Sequence, residues 1–115
     1  MIRHITRRDI VRHLEAKEPM VLVEALPDKY YRQGHLPGAV HLPHDQVREL
    51  AAARLPDRAA FIVVYCANTP CQNSRIAAQM LESLGYANVA EYAEGKQDWV
   101  DAGLPLETSE AIKAA

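Results

Sequence analysis

The chain has little cysteine, no excess of positive charge and no long apolar run, and each lack removes a class of protein. Thirteen Lys and Arg stand against fifteen Asp and Glu, a formal net charge of −2. That leaves no basic footprint for nucleic acid. No segment approaches the roughly 18 apolar residues of a membrane span, so no membrane partner is expected. Met1-Ile2-Arg3-His4 lacks the apolar core of a signal peptide, which sets the expectation of a cytoplasmic protein. Two cysteines in a reducing compartment do not make a permanent structural bridge, so a reactive or redox role is expected for at least one. There is no internal repeat, low-complexity tract or linker. The 115 residues have the size of one domain, 1–115, able to bury its own core without staples.

What is present is a run of β-branched and aromatic residues, Phe61-Ile62-Val63-Val64-Tyr65, that ends on Cys66. A polar loop follows, and an apolar-periodic helix is expected over residues 74–84. The spacing puts a thiol at the carboxyl end of a buried strand, facing a helix N-terminus. In open α/β sheets ligands bind there, and a helix N-terminus favours anions and lowers a thiol's pKa. Ala67, Asn68, Thr69, Pro70, Gln72, Asn73, Ser74 and Arg75 form the candidate substrate-binding loop. It contains no carboxylate, and its amides could curl into an anion nest. A buried thiol that merely caps the strand is the bland alternative.

Strand and helix signals alternate along the whole chain. Strands are expected over 2–5, 20–24, 39–42, 61–65 and 89–92. Thr6 and Asp9 form a capping-box pattern ahead of a helix whose core face carries Ile10, Val11 and Leu14. Further helices are expected over 28–33, ended by Gly34, over 44–53, and over 96–102, ended by Gly103. The helix after the loop has Ile76, Met80, Leu81 and Leu84 as its stripe and Gly85 as its cap. A surface helix is expected over 107–115. Strands separated by helices imply a three-layer α/β/α domain around a parallel sheet of about five strands.

Several motifs in order resemble the single-domain rhodaneses, a family of sulfurtransferases. Gly34-His35-Leu36-Pro37-Gly38-Ala39 is similar to the family's Gly-His-Ile-Pro-Gly-Ala signature. Val23-Glu24 lies where the family has an acidic residue ending its second strand. Val64-Tyr65-Cys66 resembles the strand that carries the active cysteine. Gly95, Trp99, Gly103, Leu104 and Pro105 resemble the closing Gly…Trp…Gly-Leu-Pro pattern. The resemblance implies that Cys66 attacks the outer sulfur of a thiosulfate-like or persulfide donor and holds it as a persulfide. A thiol, which could belong to a protein, or cyanide in the assay tube then accepts it. It implies no organic cofactor and no metal. Oligomeric state is left open.

Departures from the family open alternatives. The loop is longer by two or three residues and carries a second cysteine, Cys71. Four residues separate the two thiols, so Cys71 could resolve the persulfide and leave a Cys66–Cys71 disulfide; it could equally point inertly into the helix–sheet packing. The long loop and Arg75 also resemble the Cys-x5-Arg phosphatases and arsenate reductases, although the Cys66–Arg75 spacing is greater. A non-catalytic persulfide carrier or sensor is the third reading. Glu24 is expected to hold the active loop by accepting N–H bonds or to pair with a cation, and His35 to fix its own segment by hydrogen bonds. Glu94 replaces the first glycine of the family's Gly-Gly, leaving Gly95 alone to make that turn.

Overall fold

A computed structural model describes residues 2–108. Five strands, β1 (Arg3–His4), β2 (Val21–Glu24), β3 (Val40–His41), β4 (Ile62–Tyr65) and β5 (Val89–Tyr92), form one sheet in the order β1-β5-β4-β2-β3. Every pairing is parallel. The helices α1 (Arg7–Ala16), α2 (Asp28–Gln33), α3 (Val47–Arg54) and α4 (Asn73–Ser83) supply the four crossovers that parallel strands require, and α5 (Gly95–Asp101) follows the last strand. This is the α/β architecture with a five-stranded parallel sheet expected from the alternating pattern. Among the described residues, no helix is long and apolar enough to cross a membrane.

β4 lies at the centre, and all four of its residues are buried. Its side chains alternate between two cores. Ile62 and Val64 point to the layer of α3 and α4, with Val47, Ala51, Ala77 and Leu81. Val63 and Tyr65 point to the layer of α1 and α5, with Ile10 and Trp99. Cys66 comes next in this alternation, on the α4 side.

The capping box forms as expected: Thr6 Oγ1 accepts the Asp9 amide, and Asp9 Oδ2 accepts the Thr6 amide at 3.0 Å. Several local expectations are corrected. Leu14 is 42% exposed, and Ile10 is the buried residue of α1. Ile76 is 43% exposed. The buried stripe of α4 is Ser74, Ala77, Ala78 and Leu81, an i, i+3, i+4, i+7 row whose small members bring the helix close to the sheet. α3 begins at Val47 rather than at 44, because Pro43, His44 and Asp45 build a turn in which Gln46 N–H donates to Pro43 O. Glu107 does not start a helix. It pairs antiparallel with His35, and the expected tail helix beyond residue 108 lies outside the described residues.

Trp99 anchors the α5 layer. It is almost fully buried, and its Nε1 donates to Pro105 O at 2.8 Å. Trp99→Ala is expected to lower the stability by about 3–5 kcal/mol, a large part of a typical domain's total. Urea unfolding followed by circular dichroism measures it.

Candidate active site

Cys66 follows the last residue of β4 and is completely buried. The loop of residues 67–72 leads from it to α4. Asn68, Thr69, Pro70 and Gln72 are exposed, whereas Ala67, Cys71 and Asn73 are half-buried. A turn brings the chain back: Cys71 N–H donates to Asn68 O at 3.1 Å. That amide closes the turn and is not available to an anion nest. The two cysteines lie 6.4 Å apart at Cα and are joined in a disulfide, within the separation that such a bond needs. Cys71 thus does not point into the helix–sheet packing.

The start of α5 holds the beginning of this loop. Lys96 N–H donates to Cys66 O and Gln97 N–H to Ala67 O, both at 2.8 Å. The approach depends on Gly95, whose φ of +69° is in the left-handed region. A Cβ there would collide with the Cys66 carbonyl oxygen and stand 3.0 Å from the Ala67 carbonyl carbon. Gly95 thus makes this turn with Glu94, not a second glycine, before it.

Glu24 is fully buried, and of the two expectations for it the structure shows the pairing with a cation and not the bonds to the loop amides. Its carboxylate accepts from Tyr65 Oη at 2.8 Å and pairs with Lys96 Nζ at 3.0 Å. Tyr65 Oη in turn accepts the Leu36 amide at 3.0 Å. Glu24 therefore reaches the loop through Lys96, whose backbone holds Cys66. Burial, and after it the Glu24 charge, push the Tyr65 hydroxyl well above the usual tyrosine range. His35 fixes its own segment. Its Nδ1 lies 2.8 Å from Tyr31 O, its ring stacks on Tyr31, and its backbone exchanges two hydrogen bonds with Glu107.

On the other face, Ser74 and Glu91 complete the surroundings of Cys66. Ser74 Oγ is 3.4 Å from Cys66 Sγ and 2.7 Å from Glu91 Oε2. Arg75 is largely exposed on the first turn of α4, with its Nε 4.0 Å from Glu91 Oε1. Sequence reasoning missed Tyr65, Lys96 and Glu91 as site residues. The one available signal was a carboxylate inside each of two apolar strands, and only that of Glu24 was read.

A rhodanese-like domain matches residues 6–102. The chain is 33% identical over 103 residues to an HTH-type transcriptional regulator of Mycobacterium tuberculosis, covering 90% of this chain and 44% of that protein. It is 37% identical over 68 residues to the thiosulfate sulfurtransferase PspE of Escherichia coli, covering 59% of this chain and 62% of that one. It therefore spans less than two thirds of either curated relative. A crystal structure of a thiosulfate sulfurtransferase from Pseudomonas aeruginosa superposes with a TM-score of 0.82 at 31% identity, over 93% of this chain and 20% of that chain.

The Glu24 pair makes two expectations. Lys96→Met leaves a fully buried carboxylate without its cation and is expected to destabilise by about 3–5 kcal/mol. Glu24→Gln costs less, because the Lys96 side chain, 16% exposed, reaches water. Urea titration of both variants ranks them. The Tyr65 shift gives a pH dependence. The folded state keeps this proton where the unfolded chain releases it, near the ordinary tyrosine value of ~10. Its contribution is complete below about pH 10 and is lost as the pH rises further. Thermal unfolding between neutral and alkaline pH should show that loss, smaller in Tyr65→Phe.

Proposed function

This chain belongs to the rhodanese-like domain family, and from that premise we propose that it is a sulfurtransferase with Cys66 as its nucleophile and Cys71 as its resolving thiol. The observation that carries this reading is the bond between the two cysteines at the carboxyl end of β4. A neighbour in bonding reach of a nucleophile can also displace what that nucleophile carries.

The cycle has one common first step and two branches after it. The Cys66 thiolate attacks the outer sulfur of a thiosulfate-like donor. The S–S bond of the donor breaks, sulfite leaves with its electron pair, and a persulfide remains on Cys66. Covalent catalysis thus divides one transfer into two easier ones. The persulfide then passes its outer sulfur to a thiol or cyanide. Alternatively, the Cys71 thiolate attacks Cys66 Sγ; hydrosulfide leaves and the disulfide forms. In that branch two electrons from external thiols restore both cysteines. Because Cys66 is fully buried and Cys71 half-buried, an incoming thiol meets Cys71 first, and Cys66 departs as the thiolate. The exposed residues 68–70 and 72 form the wall that a donor meets. The partners on this reading are a small sulfur donor and a thiol acceptor, in a reducing cytoplasm that keeps the pair cycling.

The similarity to a transcriptional regulator favours one second reading, a module whose Cys66–Cys71 state is sensed by a partner instead of turning over. Steady-state sulfur transfer separates the two, since a sensor forms the persulfide or disulfide once and stops.

Intact-mass measurement after thiosulfate treatment without reductant tests the cycle. Cys71→Ser should gain one sulfur atom on Cys66 and keep it. The unsubstituted protein, reduced beforehand and freed of reductant, should proceed to the disulfide, two hydrogens lighter than its reduced form. Cys66→Ser should do neither and should lose transfer activity by about a thousandfold or more. Sulfur uptake by Cys66→Ser would overturn the assignment of the nucleophile.

A further inference from the structure

Glu91 is a buried carboxylate for which the reaction above has no use. It sits on β5 at 2% exposure, in register with Val64 of β4 and His4 of β1. Its Oε2 accepts the Ser74 hydroxyl at 2.7 Å, while its Oε1 is buried without a hydrogen-bond donor. The charged groups that face it are His4 Nε2 from β1, at 3.7 Å, and Arg75 Nε from α4, at 4.0 Å. Both are beyond hydrogen-bond reach, and both side chains are more than half exposed. From the end of β4 the nearest reactive group is Cys66, reached through Ser74, whose oxygen lies 3.4 Å from the sulfur. Burying a carboxylate with a single donor is unfavourable unless it has other work.

A serine hydroxyl has one hydrogen and two lone pairs. Here the hydrogen goes to Glu91, and a lone pair faces the Cys66 sulfur. When the disulfide is reduced, the Cys66 S–H completes a chain of two donors: Cys66 to Ser74, and Ser74 to Glu91. We propose that Ser74 relays the Cys66 proton to Glu91, so that the thiolate forms without a second negative charge entering the buried site.

The step balances. The sulfur's hydrogen moves to Ser74 Oγ, the hydroxyl hydrogen of Ser74 moves to Glu91 Oε2, and the electron pair of the S–H bond stays on sulfur. The three groups together hold one negative charge before and after, and water takes no part. Ser74 then donates to the thiolate, and the protonated Glu91 donates back to Ser74. Without the relay, a thiolate and a carboxylate would share one serine hydrogen inside a low-dielectric site, where like charges repel strongly. Ser74 touches the reacting sulfur; Glu91 acts through Ser74 and positions its hydrogen.

This inference rests on Cys66 being the nucleophile, but its test needs no sulfur donor. The rate at which iodoacetamide alkylates Cys66 is measured against pH in a Cys71→Ser background, where Cys66 is the remaining thiol. Two groups that share a proton titrate in two macroscopic steps. The rate should therefore rise in two steps, and Glu91→Gln should lose one of them. Ser74→Ala, which leaves the carboxylate in place and breaks the relay, should also reduce the profile to a single step. His4→Gln should keep both steps, so that the imidazole is not their source. A single step in the parent overturns the relay, as does a two-step profile that survives Glu91→Gln, or one that disappears in His4→Gln. Circular dichroism confirms that each variant is folded, and if Glu91→Gln is not, Ser74→Ala decides alone. Two-step alkylation without sulfur transfer would instead leave the relay standing and refute the transferase reading.

Discussion

The arrangement of the site hangs on one buried charge, the carboxylate of Glu24. A carboxylate with no exposed surface must be neutralised or the fold does not hold. Lys96 does this from the first turn of α5, at 3.0 Å. The same residue gives its backbone amide to the Cys66 carbonyl. Pairing one charge therefore docks a helix and pins the start of the loop after β4. Tyr65, the second donor to Glu24, passes the constraint to the segment at Leu36, where it receives an amide. Strand β2, strand β4, helix α5 and the loop after α2 are thus tied at one point beneath Cys66.

The two faces of the sheet treat their buried acids differently. Glu24 faces the α5 layer and has a cation and a phenol, so its charge is held in place. Glu91 faces the α4 layer and has one serine, with its charged neighbours near 4 Å. The first arrangement is built to be static. The second retains an unused acceptor and a serine whose hydrogen can turn, next to the sulfur. Alternation along the strands makes this division possible, because Tyr65 and Cys66 are adjacent in the chain and project to opposite layers.

Much of the architecture was legible in the residues. All five strands and the first five helices lie where hydrophobic pattern, glycine and caps put them, to within a few positions. The larger shifts are physical. Ile76 fits a helical period but is 43% exposed, because in α4 the close approach belongs to Ala77 and Ala78; in α1 it is Ile10 that is buried, and Leu14 is 42% exposed. The late start of α3 reflects a local turn after Pro43 that competes with helix. Glu107 pairs with His35 across a separation that no local pattern reports.

By itself, the sequence determined the parallel α/β plan and the position of a cysteine at the end of the central strand. Both follow from short-range rules, the period of apolar residues and the chemistry of strand and helix ends. Only the tertiary structure decided what surrounds that cysteine. The Cys71 sulfur reaches it through the turn at 68–71, Lys96 comes to Glu24 from 72 residues away, and Glu91 comes within one serine of the sulfur. Such contacts depend on strand order, register and helix rotation together, and a side chain's neighbours across a sheet are not written in its neighbours along the chain.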